Sequence, residues 1–322
     1  MTSTILGTGS ALPEKIVTNN DLTALIETND EWIIERTGIH ERRVAVTENT
    51  TSLAIEAGRK ALNDANISPE DIDLVLVATV TPDGSIPNTA CKVQAALGTT
   101  NAMCYELNAA CTGFIYAMHA AHAYISSGMI RHALIIGAET LSKIVDWTDR
   151  GTCILFGDGA GAAVLGPAQD GILCIDGGSD GKKGEVLTCE NAPLINPYVQ
   201  NDARSPYVEM DGQAVFKFAV RKIPEIVQNL SAKANVSLED LDIILLHQAN
   251  ERIIQTAAKR LKLEEKLFPV DLDRYGNTSS ASVAILLDEV HRSGKLKNGD
   301  LVALAGFGGG LTWGGVLLKW TL

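Results

Sequence analysis

Apolar residues follow two alternating patterns along the chain. Residues 74–78 and 132–138 form short, almost uninterrupted apolar runs, which are typical of strands covered on both faces of a sheet. Residues 50–65, 89–97 and 113–127 instead carry apolar positions at helical spacing. The alternation of short apolar strands with longer amphipathic helices predicts a layered α/β fold.

A repeat divides this pattern into two halves. Residues 237–247 (Ser-Leu-Glu-Asp-Leu-Asp-Ile-Ile-Leu-Leu-His) echo residues 68–78 (Ser-Pro-Glu-Asp-Ile-Asp-Leu-Val-Leu-Val-Ala) almost position by position. The chain is therefore expected to be internally duplicated, with halves at residues 1–170 and 171–322.

A Ser-Gly pair ends a predicted helix in each half, at Gly128 and at Gly294, an offset of 166 residues (294 against 128). Adding this offset to position 111 gives position 277, so Asn277 would be the counterpart of Cys111 in the second half. We therefore expect Cys111 and Asn277 at matching strand-to-helix corners. A pseudo-twofold axis between the halves would bring these corners together.

Cys111 follows a short apolar segment and precedes a long helix, so it is predicted at the helix N-terminus. The unpaired N–H groups and the dipole of a helix N-terminus lower a thiol pKa and favour the nucleophilic thiolate. The alternative is a buried structural cysteine. Two further segments favour chemistry at this position.

His247 and Asn277 are the polar side chains of those segments. His247 ends a predicted strand, and open α/β sheets place their sites at the carboxyl ends of strands. Taken alone, His247 is compatible with a structural histidine and Asn277 with a helix cap. A cysteine, a histidine and an asparagine at three symmetry-related strand ends indicate a catalytic site.

Composition excludes several functions. The 322 residues are 46% apolar and 20% charged, with a net charge of −12, so a broad nucleic-acid surface is not expected. The six cysteines form no CxxC pair, so neither a zinc site nor a disulfide framework is indicated, and no metal site is expected. The N-terminus lacks signal-peptide features, and the apolar stretch 301–318 is rich in glycine, so we expect a soluble, cytoplasmic protein without a membrane span.

A glycine-rich segment, 157–162, matches the dinucleotide fingerprint formally. That fingerprint requires a following helix, whose N-terminus faces the pyrophosphate. A short strand is predicted instead, so no nicotinamide or flavin site is expected.

Three motifs carry a resemblance to a known family: Asn-Ala-Ala-Cys-Thr-Gly at 108–113, His-Gln-Ala-Asn at 247–250, and Tyr-Gly-Asn-Thr-Ser-Ser-Ala-Ser at 275–282. They resemble the signatures of β-ketoacyl-acyl carrier protein synthase III. The resemblance implies a thiolase-like fold with α-β-α-β-α layers, two five-stranded mixed sheets and a homodimer. It also implies decarboxylative condensation of acetyl-CoA, or a short acyl-CoA, with malonyl-acyl carrier protein. The product would be 3-ketoacyl-acyl carrier protein, the first intermediate of type II fatty acid synthesis, and no cofactor beyond the CoA thioester substrate is implied.

The same resemblance assigns roles in the reaction. Cys111 would be the acyl-accepting nucleophile, and the N–H groups of Cys111 and Gly309 would form an oxyanion hole. His247 and Asn277 would donate hydrogen bonds to the enolate formed by decarboxylation. His247 must then be neutral near pH 7.

Binding roles are implied as well. Thr28, Trp32 and Arg36 recur every four residues and would share one helical face, although an ordinary exposed amphipathic helix also fits that spacing. By resemblance, Trp32 and Arg150 would sandwich the adenine of CoA, Arg36 and Thr28 would lie near its phosphates, and Ala249 and Asn250 would line the pantetheine tunnel.

Ile86, reaching across the dimer, and Phe156 would bound the acyl pocket. An acidic enzyme needs a local basic face to bind an acidic carrier protein. The candidates are Arg252, Lys217, Arg221 and Lys222, and solvated helix faces are the alternative.

Two other functions remain open. A related condensing enzyme of secondary metabolism would use the same three residues with a longer or different primer. A non-catalytic scaffold of this fold would not need all three. Degradative thiolases carry a second cysteine before the terminal glycines, where this chain reads Ala-Gly-Phe-Gly-Gly-Gly at 305–310. The elongating synthases use a second histidine where this chain has Asn277.

Overall fold

A computed structural model describes residues 2–190, 194–200 and 205–322. The strands are β1 (Thr2–Ala11), β2 (Ile16–Thr18), β3 (Glu41–Arg43), β4 (Leu74–Ala78), β5 (Met103–Leu107), β6 (Ala133–Glu139), β7 (Gly159–Ala168), β8 (Ile172–Ser179), β9 (Leu187–Cys189), β10 (Ile195–Asn196), β11 (Val199–Gln200), β12 (Val208–Met210), β13 (Ile243–Leu246), β14 (Leu301–Gly308) and β15 (Thr312–Lys319). The helices are α1 (Asn19–Leu22), α2 (Asp30–Thr37), α3 (Thr50–Ala65), α4 (Thr89–Leu97), α5 (Gly113–Ser126), α6 (Gly212–Ala234), α7 (Glu251–Leu261), α8 (Leu272–Tyr275) and α9 (Ser282–Arg292).

Two mixed sheets organise these elements. The first has the order β1-β7-β6-β4-β5, in which β6, β4 and β5 run parallel. The second has the order β13-β14-β15-β8, in which β13 and β14 are parallel. Every residue of β4 and β13 is buried, as expected for strands covered on both faces.

The hydrophobic clusters define five layers. α3 and α4 cover the outer face of the first sheet, and α6 and α7 cover the outer face of the second. Between the sheets, α5 and α9 pack against inward-facing residues of both, including Leu76 and Leu245. The predicted α-β-α-β-α layering is therefore confirmed. None of the helices in the described ranges is long and apolar enough to cross a membrane.

The second sheet differs from the prediction, because it has four strands in the described residues rather than five. The place that β5 occupies in the first half is taken by the short helix α8. Pro269, just before α8, has no N–H for a strand ladder. Gly276, with φ at +64°, then ends the helix. These residues turn the chain where a fifth strand was expected.

Strand pairing gives the offset between the halves. Leu74 pairs with Ala133 in the first sheet and Ile243 with Val302 in the second, so the matching positions differ by 169 residues (243 against 74, 302 against 133). The predicted offset of 166 is therefore wrong at the corners. The value of 166 follows from the ends of two helices that differ in length, because α9 has 11 residues and α5 has 14.

With the offset of 169, the counterpart of Cys111 is Ser280, and the counterpart of Asn277 is Asn108. We call residues 108–113 the first corner and residues 277–282 the second corner. Both corners use the same local geometry. Asn108 accepts a hydrogen bond from the N–H of Ala110 at 3.3 Å, and Asn277 accepts one from the N–H of Ser279 at 2.9 Å.

Candidate active site

The first corner carries Cys111 in a short 3-10 turn, Ala110–Thr112, between β5 and α5. Ala110 has φ at +46°, and its counterpart Ser279 has φ at +50°. This left-handed conformation costs a non-glycine residue about 1 kcal/mol or more and is concentrated at functional sites. Cys111 itself is 8% exposed and lines a cavity.

Burial raises the pKa of the Cys111 thiol to about 12. A hydrogen bond from the side chain of Ser279 lowers that pKa, whereas the charge of Glu139 raises it further. The predicted lowering of the thiol pKa is therefore wrong, because the largest effect on the thiol is loss of water around the sulfur, which raises its pKa. At rest the sulfur is protonated, and the proton must leave as the sulfur attacks.

His247 follows β13 and is 1% exposed. Its Nδ1 lies 2.6 Å from the hydroxyl oxygen of Ser282 in the second corner. The ring of Phe307 meets the imidazole edge to face, with centroids 5.3 Å apart. Burial lowers the pKa of His247 to about 3, which agrees with the expected neutral imidazole at pH 7.

Asn277 opens the second corner and is 7% exposed. Its backbone pairs with the segment around Phe156: Asn277 N–H donates to Leu155 O at 2.8 Å, and Gly157 N–H donates to Asn277 O at 3.0 Å. Because Oδ1 accepts the Ser279 N–H, the amide is oriented and Nδ2 is its remaining donor. The same pairing fixes the predicted pocket residue Phe156 beside Asn277.

The structure brings the three predicted catalytic residues together. Cys111 lines the same cavity as Ser279 of the second corner, whose backbone N–H donates to Asn277 Oδ1 at 2.9 Å. A Cβ placed on Gly306 of β14 would lie 3.6 Å from Cys111 O and 3.8 Å from His247 Cβ. One glycine therefore separates the nucleophile's turn from the histidine.

A cavity of about 970 Å³ is lined by Cys111 of this cluster. Its lining also includes Ser279, Gly309 and Phe156. Its apolar wall also contains residues that the sequence did not indicate, because they come from separate loops and short strands: Val80, Leu141, Ile144, Leu187 and Val208. Ile86 does not line it, and its side chain is 91% exposed.

Two guanidinium groups approach the ring of Trp32. Arg36 and Arg150 are 4.8 Å and 4.7 Å from the centre of its ring. Asn250 Nδ2 donates to Arg36 O at 2.9 Å, which links this cluster to the segment after His247. The shared helical face predicted for Thr28 is wrong, because α2 begins at Asp30. The Thr28 hydroxyl is nevertheless buried without a hydrogen-bond partner.

The four basic residues predicted to bind a carrier protein do not share one environment. Lys217, Arg221 and Arg252 are exposed on α6 and α7, and Arg252 stacks on Phe216 with its Cζ 5.7 Å from the ring centre. Lys222 is 7% exposed, pairs with Glu225 at 2.8 Å and lies 4.2 Å from the centre of the Trp313 ring. Lys222 therefore cannot belong to a docking face.

Two serines of the second corner, Ser279 and Ser282, contact the catalytic side chains and were missed in the sequence. The only signal was their presence in the motif at 275–282, which does not distinguish a hydroxyl facing the site from one facing the core. In the described parts of the chain, no three His, Cys, Asp or Glu side chains are placed to hold a metal ion.

A family model described as 3-oxoacyl-[acyl-carrier-protein (ACP)] synthase III matches residues 105–181, and one described as its C-terminal part matches residues 231–320. The β-ketoacyl-[acyl-carrier-protein] synthase III of Clostridium acetobutylicum is 48% identical over 98% of both chains. The enzyme of the same name from Clostridium kluyveri is 50% identical, again over 98% of both chains.

Solved structures agree with these matches. The crystal structure of 3-oxoacyl-[acyl-carrier-protein] synthase III from Aquifex aeolicus superposes with a TM-score of 0.93 at 43% identity, covering 99% of this chain and 100% of that one. A priming β-ketosynthase of a polyketide biosynthetic pathway superposes with a TM-score of 0.93 at 37% identity, covering 99% and 96%. The fold and the paired corners define a thiolase-like condensing enzyme. Within that class, the chain belongs to the β-ketoacyl-[acyl-carrier-protein] synthase III family.

Proposed function

We propose that this protein condenses acetyl-CoA, or another short acyl-CoA, with malonyl-acyl carrier protein and so initiates fatty acid synthesis. The observation that carries the proposal is that Cys111 lines a cavity while His247 lies across Gly306 from it, and Asn277 is held by Ser279, which lines the same cavity. The names of relatives about 48% identical to this chain support the same reaction.

In the first half-reaction, the sulfur of Cys111 attacks the acyl-CoA carbonyl. A carbon–sulfur bond forms to the enzyme, the bond to CoA breaks, and the thiol proton leaves with the CoA sulfur. Negative charge on the carbonyl oxygen needs preorganised donors. The N–H groups of Cys111 and Gly309 are our candidates, since both residues line the cavity.

In the second half-reaction, malonyl-acyl carrier protein loses carbon dioxide, and the electron pair of the broken bond forms an enolate. His247 Nε2–H and Asn277 Nδ2–H then stabilise the enolate oxygen. Both groups are neutral, so they donate hydrogen bonds without protonating the enolate carbon. The lowered pKa of His247 supports this role.

Condensation completes the cycle. The enolate carbon attacks the acyl-Cys111 carbonyl, a carbon–carbon bond forms, and the sulfur leaves with its electron pair. The thiolate then takes up a proton, because burial strongly favours the neutral thiol.

We infer that CoA binds across Trp32. The unpartnered hydroxyl of Thr28 and the neighbouring guanidinium groups of Arg36 and Arg150 offer donors and positive charge for its adenosine and phosphates. Arg150 now stacks on the indole and donates to Glu27 O at 3.1 Å. An adenine between Trp32 and Arg150 therefore requires that guanidinium to move. Ala249 and Asn250, next to His247, are our candidates for the pantetheine contacts.

We infer a homodimer in which the partner's copy of the exposed Ile86 closes the acyl pocket against Phe156. β5 is an edge strand of the first sheet, and Met103 at its start is 48% exposed, so both features fit a covered surface. Sedimentation at micromolar concentration tests this assembly, because a monomer would contradict it. Ile86→Ala should then widen the range of accepted primers, whereas the matched Leu25→Ala, at another exposed apolar residue, should not.

We further infer that the acidic carrier protein docks near Arg252, Lys217 and Arg221. Arg252→Glu should raise the KM for malonyl-acyl carrier protein about tenfold and leave the KM for acyl-CoA unchanged. Lys60→Glu, on α3 of the other half, is the charge-matched control. Equal effects of the two variants would contradict a local docking face.

The reaction itself is tested by incubating the protein with radiolabelled acetyl-CoA and mapping the acylated residue, then adding malonyl-acyl carrier protein. We expect label on Cys111 and a labelled 3-ketoacyl product. Cys111→Ser should lose transacylation. Failure to acylate Cys111 with any acyl-CoA would refute the proposal, and fractionation of the source cells would test the expected cytoplasmic location.

A second candidate is priming in secondary metabolism, which the polyketide ketosynthase at 37% identity represents. The higher identity of 48–50% to the fatty-acid type favours the first candidate. Rates with acetyl-, butyryl-, octanoyl- and branched acyl-CoA distinguish the two. A strong preference for octanoyl or a longer primer would favour the second.

A further inference from the structure

Ser282 is the first residue of α9, and its side chain is 2% exposed. Its hydroxyl oxygen lies 2.6 Å from His247 Nδ1 and also accepts a long hydrogen bond from the backbone N–H of Gln248 at 3.5 Å. Among the described residues, no other hydrogen-bond partner of Nδ1 is present. The hydroxyl of Ser282 therefore decides which imidazole nitrogen carries the proton.

Two arrangements are possible across this contact. If Nδ1–H donated to the serine oxygen, the hydroxyl hydrogen of Ser282 would be buried, and the described residues offer it no other acceptor. A buried donor without an acceptor is costly. If the Ser282 hydroxyl donates to Nδ1, both groups of this contact are satisfied, because the serine oxygen can still accept from Gln248.

The duplication provides an independent observation. With the offset of 169, the counterparts of His247 and Ser282 are Ala78 and Gly113. These two also adjoin each other, since a Cβ on Gly113 would lie 2.8 Å from Ala78 Cβ. The fold thus places this pair of positions in contact in both halves. Only the second half has polar side chains at these two positions, and they form a hydrogen bond with each other.

We propose that Ser282 is a positioning residue that donates to Nδ1 and holds His247 as the Nε2–H tautomer, with its remaining N–H directed to the reacting thioester. The consequence for decarboxylation rests on the proposed function, whereas the tautomer does not. Loss of the serine would leave the imidazole free to turn and to exchange its proton between nitrogens. This loss affects the step that needs a donated hydrogen bond, not the acylation of Cys111.

Nitrogen-15 NMR of histidine-labelled protein, with the signals of His247 assigned by comparison with His247→Gln, measures the tautomer directly. We expect the wild type to be protonated at Nε2, and Ser282→Ala to show a mixture of tautomers. Decarboxylation of malonyl-acyl carrier protein should fall tenfold to a hundredfold in Ser282→Ala, with acylation of Cys111 within about twofold of wild type. Ser282→Thr, which keeps the hydroxyl, should restore both the tautomer and the rate.

Ser280→Ala is the matched control. Ser280 is a buried serine of the same corner, but its hydroxyl contacts Glu139 and Ala78 O instead of His247. Its variant should change both half-reactions in the same proportion and leave the tautomer unchanged. A wild-type signal from Nδ1–H, or an unchanged tautomer and rate in Ser282→Ala, would overturn the assignment. A correct tautomer in a protein without condensing activity would refute the proposed function and leave the positioning role intact.

Discussion

The buried imidazole of His247 predicts how stability depends on pH. Its pKa is lowered from the ordinary value of about 6.5 to about 3 by burial. As the pH falls below about 6.5, the unfolded chain binds a proton at this residue and the native protein does not. The stability associated with the neutral imidazole is therefore fully present above that pH. It is lost progressively down to about pH 3.

The size of the effect follows from the two pKa values. Between pH 7 and pH 5, the uptake of one proton by the unfolded chain costs about 2 kcal/mol of unfolding free energy. His119 and His122 contribute with the same sign, because burial also lowers their pKa values. The buried carboxyl groups of Glu139 and Asp158 act in the opposite direction, because burial raises their pKa values. Comparison with a variant removes these shared contributions.

The variant is His247→Gln, which keeps a polar side chain within reach of Ser282. Urea unfolding of both proteins, at equal concentration and at pH 7 and pH 5, measures the difference. We expect the wild type to lose about 2 kcal/mol more than the variant between the two pH values. Losses that agree within about 0.5 kcal/mol would refute the reasoning, since they would mean that His247 titrates almost normally in the native protein.

Three further predictions concern activity. Asn277→Ala should leave acylation by acetyl-CoA intact while decarboxylation falls about a hundredfold or more, and equal losses in both half-reactions would contradict the separate roles of nucleophile and donors. Trp32→Ala should raise the KM for acyl-CoA about tenfold with little change in the KM for malonyl-acyl carrier protein; a shift of both constants would argue against a CoA contact. Gly308→Ala should reduce acylation of Cys111 about a hundredfold, because the added Cβ would lie 2.6 Å from the Cys111 backbone nitrogen. Acylation at the wild-type rate would show that this nitrogen is not an oxyanion donor.

The layers of the fold were predictable because a strand that is buried on both faces has an uninterrupted run of apolar residues. β4 and β13 are apolar at every position, and the helices around them show one apolar stripe each. The fifth strand of the second sheet was not predictable in this way. At that place, Pro269 and Gly276 turn a short segment against the rest of the second half. The spacing of apolar residues gives no sign of this turn.

The residues of the site were predictable where chemistry depends on residue type. Motifs in the sequence single out Cys111, His247 and Asn277, but they do not report the pKa of the thiol, because desolvation depends on packing from distant parts of the chain. Lys222 shows the same limit. Its place on α6 suggests exposure, yet Trp313 of β15, 91 positions further along the chain (313 against 222), covers its ammonium group.

The duplication places different side chains at matching positions of the two corners. Ser280 occupies the place of Cys111 in the second half, and its hydroxyl donates to the carboxylate of Glu139 at 2.7 Å. The counterpart of Glu139 at the offset of 169 is Gly308, which lies against the backbone nitrogen of Cys111 and has no side chain to cover it.

Ala78 and His247 are a second pair of matching positions at which one half has a small residue and the other a large one. The first half keeps the small residue, and the second keeps the imidazole. One folding unit used twice thus places a serine bonded to Glu139 in the second corner and a thiol that lines the cavity in the first. The second corner also carries Ser279, whose backbone N–H orients the side-chain amide of Asn277.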